Sequence, residues 1–308
     1  MKKNDITIVT SFFDINRKNY SVYPRTNQRY LDDFKFWARI KNKLVVYTDK
    51  VMAEKVLEVR RSFGLEDATE VVIIDDYTLI EPEVLERMKE IEKSEYFLNY
   101  RYVAETPENK ALYNYVMLLK SWCIKDAVDR GFAKGLVAWL DFGYNHGGDT
   151  FIDPEGFDFY WDYEFPSDKV TYFQVNDEPT KKPVFYLVQS FDVVVMGAPF
   201  IVPAKLASKH YELILGAIET LLDMGLMDDD QILMLMASRK VPNLFEYKKC
   251  DWFMPIKVFG NKNLKTREKV IQNESLKEKV LNKLRVIKRN YMYFKRFKKI
   301  FFKDDILR

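Results

Sequence analysis

The sequence predicts an α/β fold in which a mixed Rossmann-type sheet is flanked by helices and followed by a basic helical extension. Three observations lead to this prediction. Strand and helix signals alternate over the first 140 residues, as they do in a doubly wound domain. The apolar run at residues 137–141 (VAWLD) ends in a carboxylate, which is typical of a buried strand that delivers one acid to a sheet edge. From residue 268 to residue 303 the pattern is helical, without a strand signal.

The first half of the chain reads as a β-α-β-α-β nucleotide-binding unit. Its predicted strands are short apolar runs rich in β-branched residues, at residues 6–13, 43–48 and 70–74. Its predicted helices have apolar residues three or four positions apart, at residues 29–40 and 50–63. Tyr30, Phe34 and Trp37 share one face of the first helix, and Gly64 stands at the C′ position of the second.

The second half is less regular. The predicted helices are residues 82–105, 108–130, 203–224 and 228–238. The predicted extended segments are residues 137–141, one bent strand or two short strands within 185–196, and residues 242–255. Residues 150–185 are rich in aromatic and acidic side chains with no clean period, and we expect an irregular excursion there. His210 falls on the polar side of its helix, where we expect it to be solvated.

The composition excludes several classes of protein. The chain has 308 residues and is 47% hydrophobic, which supports a well-buried core. Cys123 and Cys250 are the two cysteines and form no disulfide framework or metal cluster, so a secreted disulfide scaffold is excluded. The first 14 residues contain two lysines but no long apolar segment, so no signal peptide is expected. No run approaches the roughly 18 apolar residues of a membrane span, and we expect a cytoplasmic protein.

The charge is divided unevenly along the chain. Residues 257–308 hold 17 Lys and Arg against 5 Asp and Glu, whereas residues 1–256 hold 32 against 41. We therefore predict a catalytic domain at 1–256 and a basic amphipathic tail at 257–308. Such a tail is typical of a helix that lies on an anionic membrane, where each basic residue contributes about 1 kcal/mol. The alternatives are a solvated helix packed on the core and a nucleic-acid contact, which the acidic body disfavours.

Asp141 is the first candidate functional residue. It ends the run VAWLD and is followed by Phe142, Gly143 and His146. Because open α/β sheets bind ligands beyond the carboxyl ends of their strands, Asp141 falls where a metal or a charged substrate is held. His146 is a candidate second ligand or donor to a diphosphate, and Gly143 would let the backbone approach the phosphates. The alternative is a plain strand end with an Asp-initiated turn.

A second acidic group, residues 228–231 (DDDQ), stands at a predicted helix start. One aspartate is expected to cap the helix. Three acids exceed what a cap requires, and clustered carboxylates raise one another's pKa or bind a cation. Function and plain capping both stay open for Asp229 and Asp230, whose functional role would be to orient an acceptor hydroxyl or to act as base.

Lys120 interrupts the apolar segment VMLLKSW. It is either a lysine that extends its charged end to solvent or a group that neutralises phosphate at the ligand edge of the sheet. Asn109 and Lys110, at the start of the same helix, are candidates for the same ligand. Residues that end the first strand are placed where a nucleotide base or ribose would lie; they are Thr10, Phe12 and Asp14.

Taken together, several sequence pieces resemble the HtrL/YibB-type (WlaTC-like) bacterial glycosyltransferases. The pieces are VTSFFDINR, YPRTNQRYLDDFKFWARI, NKALYNYVMLLKSW, WLDFGYNH, DDDQ and CDWF. They extend from Thr10 to Phe253 and so cover roughly the first 250 residues. The set is fairly specific, although each piece alone is weak.

The resemblance implies a metal-dependent GT-A-like enzyme. Asp141 and Gly143 stand where the usual D-x-D motif lies, so Asp141 is expected to hold Mn²⁺ or Mg²⁺ on a diphosphate. Lys120 corresponds to the lysine region near the donor. GT-A enzymes often add a late histidine as a third ligand, but this chain has none after His210, which leaves Asp251 or water for that place.

The expected function is transfer of a hexose from a nucleotide sugar, a UDP-sugar by preference, to a surface glycan such as lipopolysaccharide or capsule. Lys120 and His146 would assist the leaving group, and Asp229 or Asp230 would serve the acceptor. A lipid-linked acceptor would explain a tail that holds the enzyme at the inner face of the cytoplasmic membrane, and nucleic acid is not an expected partner. The alternatives are a nucleotide-sugar hydrolase or phosphotransferase, and a non-catalytic membrane-associated scaffold.

Overall fold

The computed structural model describes residues 6–101, 106–147, 150–176 and 182–267, together with Tyr291 and Phe294. The strands of this part form one seven-stranded sheet. They are β1 (Ile6–Phe12), β2 (Leu44–Thr48), β3 (Thr69–Ile73), β4 (Leu136–Trp139), β5 (Val170–Gln174), β6 (Phe200–Pro203) and β7 (Phe245–Lys249). The predicted α/β class and the mixed sheet are confirmed.

The sheet has the strand order β3-β2-β1-β4-β6-β5-β7. Strands β1 to β4 are parallel, β6 is antiparallel to both β4 and β5, and β7 is parallel to β5. From β1 the chain builds outward through β2 and β3, and it then crosses back to place β4 on the other side of β1. A crevice opens at such a reversal, beyond the carboxyl ends of β1 and β4, and α/β proteins bind their ligands there.

Helices cover both faces of the sheet. They are α1 (Asn27–Trp37), α2 (Lys50–Ser62), α3 (Pro82–Glu92), α4 (Glu95–Tyr100), α5 (Ala111–Asp129), α6 (Val184–Ser190), α7 (Ala207–Asp223), α8 (Asp230–Lys240) and α9 (Pro255–Val258). Val9 packs into the core formed with α3, α5, α7 and α8, whereas its neighbour Ile8 packs into the core formed with α1 and α2. Successive side chains of a strand point to opposite faces, which explains why β1 is buried along nearly its whole length.

Side-chain caps begin several of these helices. The Thr26 hydroxyl accepts the Arg29 backbone N–H at 3.2 Å before α1, and the Asp49 carboxylate accepts the Met52 N–H at 2.9 Å before α2. Each cap satisfies a donor that would otherwise have no partner in the first turn.

The prediction of strands within residues 185–196 is wrong for the first half of this segment, whereas Val195 in the second half forms an antiparallel bridge with Gln174 of β5. Val184–Ser190 forms helix α6, and Phe191 ends it in the left-handed region with φ of 59°. A short run such as VFYLV has no periodicity that separates a strand from a buried helix. Leu187 and Val188 are both fully buried, so packing in the folded chain favours the helix.

Two strands, β5 and β6, were not predicted from the sequence pattern. Strand β5 lies within the segment predicted to be irregular, and β6 ends at Pro203, where helix was expected to begin. Helix α7 begins only at Ala207. The four residues of β6 are placed by antiparallel pairing with β4, as in the pair of Trp139 with Phe200, and such tertiary pairing leaves no local periodicity in the sequence.

The body of the protein continues past the predicted boundary at residue 256. The Arg267 N–H donates to the Thr150 carbonyl at 2.8 Å and the Ile152 N–H donates to the Lys265 carbonyl at 3.2 Å, while Leu264 is buried in the core. The rest of the predicted basic tail lies outside the described residues, except for Tyr291 and Phe294, which are exposed. Among the helices that the structure describes, none combines the length and the apolarity of a membrane span.

Candidate active site

A cavity of about 290 Å³ opens at the carboxyl ends of β1 and β4, at the point where the strand order reverses. Residues from seven regions converge on it: the turn after β1, helices α1 and α5, the end of β4, the segment before β6, the start of α8 and the loop after β7. Its position is the one expected for a ligand site in an open α/β sheet.

Asp141 enters this cavity directly after β4. Its Oδ1 accepts a hydrogen bond from Trp139 Nε1 at 2.7 Å and lies 2.8 Å from Lys120 Nζ. The side chain is 39% exposed, so the carboxylate is held at one oxygen while it still faces the cavity. Asp141 is therefore oriented by its neighbours and accessible to a ligand.

Lys120 lies in the middle of α5 and is buried. Its Nζ lies 2.8 Å from Asp141 Oδ1, 2.7 Å from Asp230 Oδ2 and 3.2 Å from the Gly197 carbonyl oxygen. These three oxygens account for the three donors of an ammonium group. Burial alone would lower the pKa of Lys120, but the charges of Asp141 and Asp230 raise it above its usual value. We call Asp141, Lys120 and Asp230 the carboxylate–lysine cluster.

The three acids at the start of α8 point in different directions. Asp230 lines the cavity with Lys120, and burial raises the pKa of Asp230 to about 6 despite the opposing charge of Lys120. Asp229 caps α8 by accepting the Gln231 N–H at 3.1 Å and lines a smaller neighbouring cavity. Burial, reinforced by the adjacent acids, holds the pKa of Asp229 well above its usual range. Asp228 forms a buried ion pair with Arg101 at 3.0 Å. The cap and the cavity-facing acid are thus two different residues.

Two glycines let the site close tightly. A Cβ atom on Gly197 would lie 2.6 Å from Asp230 Oδ2, closer than carbon and oxygen can pack, so this position needs glycine for the Asp230 carboxylate to reach Lys120. A Cβ on Gly143 would lie 3.1 Å from two ring atoms of Tyr30. The structure therefore explains Gly143 by its packing against Tyr30, whereas its predicted approach to phosphates stays a prediction.

The residues predicted to bind the nucleotide divide into two groups. Phe12 and Asp14 line the cavity. Thr10 is buried within β1, and Asn109 and Lys110 lie at the start of α5; none of these three is among the cavity-lining residues. Lys110 forms an ion pair with Glu92 at 3.2 Å. The structure thus brings Phe12 and Asp14 together with the cluster and leaves the other three outside the cavity.

The predicted second metal ligand, His146, has its backbone in a short 3-10 turn, Tyr144–Gly147, and its side chain lies outside the described part. Within the described residues, no group of three or more His, Cys, Asp or Glu side chains is arranged to hold a metal. Asp141 is a carboxylate of the cavity that could contribute to a cation site, because its side chain is partly exposed and Oδ2 takes no part in the contacts to Lys120 and Trp139.

The other histidine, His210, is not solvated as expected. It is fully buried, and its Nε2 lies 2.7 Å from the Tyr172 hydroxyl. Burial lowers the pKa of His210 to about 3, so the ring is neutral at physiological pH. The residue belongs to the interior beside β5 and not to the cavity.

Sequence reasoning missed several side chains that line the cavity. They are Arg17 and Arg25 in the segment between β1 and α1, Tyr113 in α5, and Trp252 and Phe253 after β7. A signal was available for the two arginines, because they follow the first strand at the same sheet edge as Asp141. The aromatic pair follows β7, and Trp252 is 42% exposed. The loop that carries it is held by the Tyr144 hydroxyl, which donates to the Phe253 carbonyl.

Comparisons with known proteins place this chain among bacterial sequences. A family model described as "bacterial protein of unknown function (HtrL_YibB)" matches residues 4–261. Protein HtrL of Escherichia coli (strain K12) is 26% identical over 280 residues, which cover 85% of this chain and 95% of that protein.

Two solved structures show a weaker likeness. Mouse xyloside xylosyltransferase 1 in its apo form aligns with a TM-score of 0.40 at 11% identity, covering 83% of this chain and 92% of the other. PaToxG glycosyltransferase aligns with a TM-score of 0.35 at 9% identity, covering 77% of this chain and 69% of the other.

Proposed function

We propose that this chain, which belongs to the bacterial HtrL_YibB family, is a glycosyltransferase that moves a hexose from a nucleotide sugar to a surface glycan. The donor in this proposal is a UDP-sugar and the acceptor is a lipopolysaccharide or capsule precursor. The observation that carries the proposal is the cavity at the reversal point of the sheet, in which the carboxylate–lysine cluster meets arginine and aromatic side chains.

Each part of this cavity matches one part of the substrate. Arginine side chains suit a diphosphate, since a guanidinium pairs with phosphate oxygens. Aromatic rings such as Trp252 and Tyr30 offer flat apolar faces to a base or a sugar ring. A buried carboxyl group with a raised pKa suits proton transfer from an acceptor hydroxyl. The cavity volume of about 290 Å³ lies at the lower end of the range for small-molecule sites.

In the proposed reaction the acceptor oxygen bonds to the anomeric carbon of the donor. The bond between this carbon and the diphosphate oxygen breaks, and its electron pair leaves with the nucleoside diphosphate. Asp230 accepts the proton of the acceptor hydroxyl, because it lines the cavity and burial raises its pKa to about 6, near the value that suits a base at neutral pH. Asp229 is less suited to this step, because it does not line the cavity and its pKa lies well above its usual range.

Lys120 acts in this scheme as a positioning residue. Its ammonium group is engaged by Asp141, Asp230 and the Gly197 carbonyl, so it fixes the distance between the two carboxylates. It also offsets one of their two negative charges, which lowers the repulsion that the cavity would otherwise exert on a diphosphate.

Asp141 is the residue that would hold Mn²⁺ or Mg²⁺. A hard cation prefers oxygen ligands and is often held by one or two carboxylates together with substrate phosphates and water. The partly exposed Asp141 side chain, held through Oδ1 alone, fits that requirement. When bound there, the cation would offset negative charge on the departing diphosphate.

The basic tail is the basis for the proposed location of the protein in the cell. Residues 257–308 carry 17 Lys and Arg against 5 Asp and Glu, and the part beyond residue 267 carries 13 against 5, which favours attachment to an anionic membrane surface. An enzyme held at the inner face of the cytoplasmic membrane would share that surface with a lipid-linked acceptor.

The decisive experiment incubates the purified protein with UDP-sugars and Mn²⁺, with and without purified lipopolysaccharide or capsular polysaccharide, and measures both UDP release and glycan mass. Release that requires the glycan, together with a hexose mass increment on it, is the expected result. UDP release at the same rate with and without the glycan would instead identify a hydrolase. If UDP with Mn²⁺ does not raise the melting temperature, the proposed UDP-sugar donor is refuted and the scaffold alternative is favoured, because a ligand that binds the folded state must stabilise it.

Asp141→Asn tests the assignment of the site itself. This variant keeps the shape of the side chain and removes its charge, and we expect turnover to fall by about 100-fold or more. Asp75→Asn is the matched control, since Asp75 follows β3 at the same sheet edge, is exposed and does not line the cavity. Equal turnover in Asp141→Asn and Asp75→Asn would show that Asp141 has no part in the reaction.

A further inference from the structure

Arg17 stands out among the buried side chains of the described part. It begins the 3-10 turn Arg17–Asn19 that follows β1, is 7% exposed and lines the main cavity. The turn is well defined. Asp14 Oδ1 accepts the Asn16 N–H at 2.7 Å, and the Arg17 carbonyl accepts the N–H groups of Tyr20 at 3.2 Å and Arg25 at 3.3 Å.

The guanidinium of Arg17 is held between aromatic rings. Its central carbon lies 4.9 Å from the ring centroid of Tyr113 and 5.2 Å from that of Tyr20. Cation–π contacts of this kind engage the flat face of the guanidinium and leave the N–H groups at its edge for other partners. The rings therefore orient the group without satisfying its hydrogen-bond donors.

No acceptor within the described residues satisfies Arg17. Its Nε is buried without a hydrogen-bond partner, and none of the ion pairs among these residues includes it. Two other arginines are buried in this part of the chain. Arg60 donates to the carbonyl oxygens of Ala38, Ile40 and Asn42, and Arg101 pairs with Asp228.

This contrast has an energetic meaning. A buried charge is destabilising unless a partner charge or hydrogen bonds offset it. Carbonyl acceptors do so for Arg60, and the Asp228 carboxylate does so for Arg101. Arg17 has only the contacts to aromatic rings, although it lies in a cavity that is open to a ligand. Since the described residues offer Arg17 no acidic partner, an anion bound in the cavity would supply the missing charge.

We infer that Arg17 is the anion-binding residue of this cavity and that its guanidinium edge receives the phosphoryl oxygens of a diphosphate. The need for an anion follows from the burial of Arg17, whereas the choice of a nucleoside diphosphate rests on the proposed function. A fork of N–H donors and a pair of phosphoryl oxygens match in shape, and such bidentate contacts are stronger than a single hydrogen bond. Inorganic phosphate or pyrophosphate offers the same oxygens, so the test must separate these sources.

The test compares wild-type protein with Arg17→Gln and Arg17→Lys by thermal shift and titration calorimetry. The probes are UDP, uridine, pyrophosphate and inorganic phosphate. Arg39→Gln is the matched control, because Arg39 also stacks on an aromatic ring, that of Phe63 at 4.6 Å, and also has a buried Nε without a hydrogen-bond partner, but it does not line this cavity.

We expect Arg17→Gln to weaken UDP binding by about 10- to 100-fold, as loss of a charged hydrogen bond does, and to leave uridine binding unchanged. The UDP affinity of Arg17→Lys should fall between those of wild type and Arg17→Gln, because lysine keeps the charge but loses the paired N–H donors of the guanidinium. Without ligand, Arg17→Gln should melt at the same temperature as wild type or above it, since the variant removes an unpaired buried charge. Arg39→Gln should bind UDP as wild type does.

Two results would overturn the inference. One is a lower melting temperature of ligand-free Arg17→Gln with unchanged UDP affinity, which would show a purely structural arginine. The other is a wild-type protein that binds none of the four probes. If pyrophosphate and phosphate bind through Arg17 as tightly as UDP does, the site recognises the anion without the nucleoside.

The inference and the proposed function can fail separately. Arg17-dependent UDP binding without any hexose transfer would support the anion site and contradict the transferase. Hexose transfer by wild type, with UDP affinity unchanged in Arg17→Gln, would support the transferase and contradict the role of Arg17.

Discussion

Replacing Lys120 by methionine tests the electrostatic centre of the candidate site. Methionine keeps much of the length and apolar packing of the lysine side chain and removes its charge, together with its contacts to Asp141, Asp230 and the Gly197 carbonyl. Asp230, which is 4% exposed, is then left as an unpaired buried acid. Removing one partner of a buried ion pair costs about 3–5 kcal/mol. Asp141 contributes little to this loss, because its side chain is 39% exposed and water screens its charge.

The stability lost in Lys120→Met should depend on pH. Burial already raises the pKa of Asp230 to about 6, and the charge of Lys120 opposes this rise, so the Lys120→Met variant should have an Asp230 pKa that is higher still. A carboxyl group whose pKa is higher in the folded than in the unfolded state stabilises the fold when protonated. That contribution is lost as the pH rises through the folded-state pKa. The variant should therefore lie closer to wild type at about pH 5 than at about pH 7.5.

Urea unfolding at these two pH values measures both effects. Lys125→Met is the matched control, because Lys125 lies on the same helix and forms an ion pair with Asp129 at 2.5 Å in which both side chains are at least one-third exposed. We expect this control to lose no more than about 0.5 kcal/mol. The reasoning is refuted if Lys120→Met lies within about 1 kcal/mol of wild type at the higher pH, or if its loss is the same at both pH values.

Three further predictions follow from the packing and the charges. Gly197→Ala should cost about 1–3 kcal/mol and lower turnover, because its Cβ would lie 2.6 Å from Asp230 Oδ2. Gly216→Ala, inside α7 and with its nearest neighbour 3.7 Å away, should be neutral or stabilising by about 0.5–1 kcal/mol; equal melting temperatures for both variants would contradict this. The unfolded chain protonates His210 near pH 6.5 and the folded chain only near pH 3, so stability should fall as the pH is lowered through this window, by at most about 5 kcal/mol. In urea titrations, the free energy of unfolding of His210→Gln should depend less on pH in this window. An unchanged pH dependence would show that other groups cause it. A chain truncated after residue 267, which keeps the segment that pairs with residues 150–152, should no longer co-sediment with anionic vesicles; undiminished co-sedimentation would refute the membrane role of the tail.

Much of the fold was predictable because its signals are local. The apolar runs of β1, β2 and β4 indicate strands buried on both faces, as in a parallel sheet covered by helices. The apolar spacing of α1 and α2 and their capping residues mark the helices between them. Asp141 was identifiable for the same reason, since a carboxylate at the end of a buried strand is visible in a single stretch of sequence.

Other features depend on contacts between distant parts of the chain. Strand β6 is placed by pairing with β4, and the helical form of Val184–Ser190 by the burial of its apolar side chains. Neither has a period of its own long enough to distinguish helix from strand. Periodicity reports local backbone preference and burial, whereas direction and partner in a sheet are decided by packing.

In the candidate site, too, some features were predictable from the sequence and others depend on tertiary contacts. The residue types were evident from the sequence: an acid after a buried strand, a lysine in an apolar helix and three acids before another helix. Only the folded chain selects Asp230 over Asp229 as the acid that faces the cavity, and only there does Lys120 meet a partner 110 residues away. It also places Arg17 in the cavity with no acceptor for its Nε among the described residues. Sequence patterns specify which groups can be charged or buried, but the free energy of a buried charge depends on its partners, and tertiary packing brings those partners together.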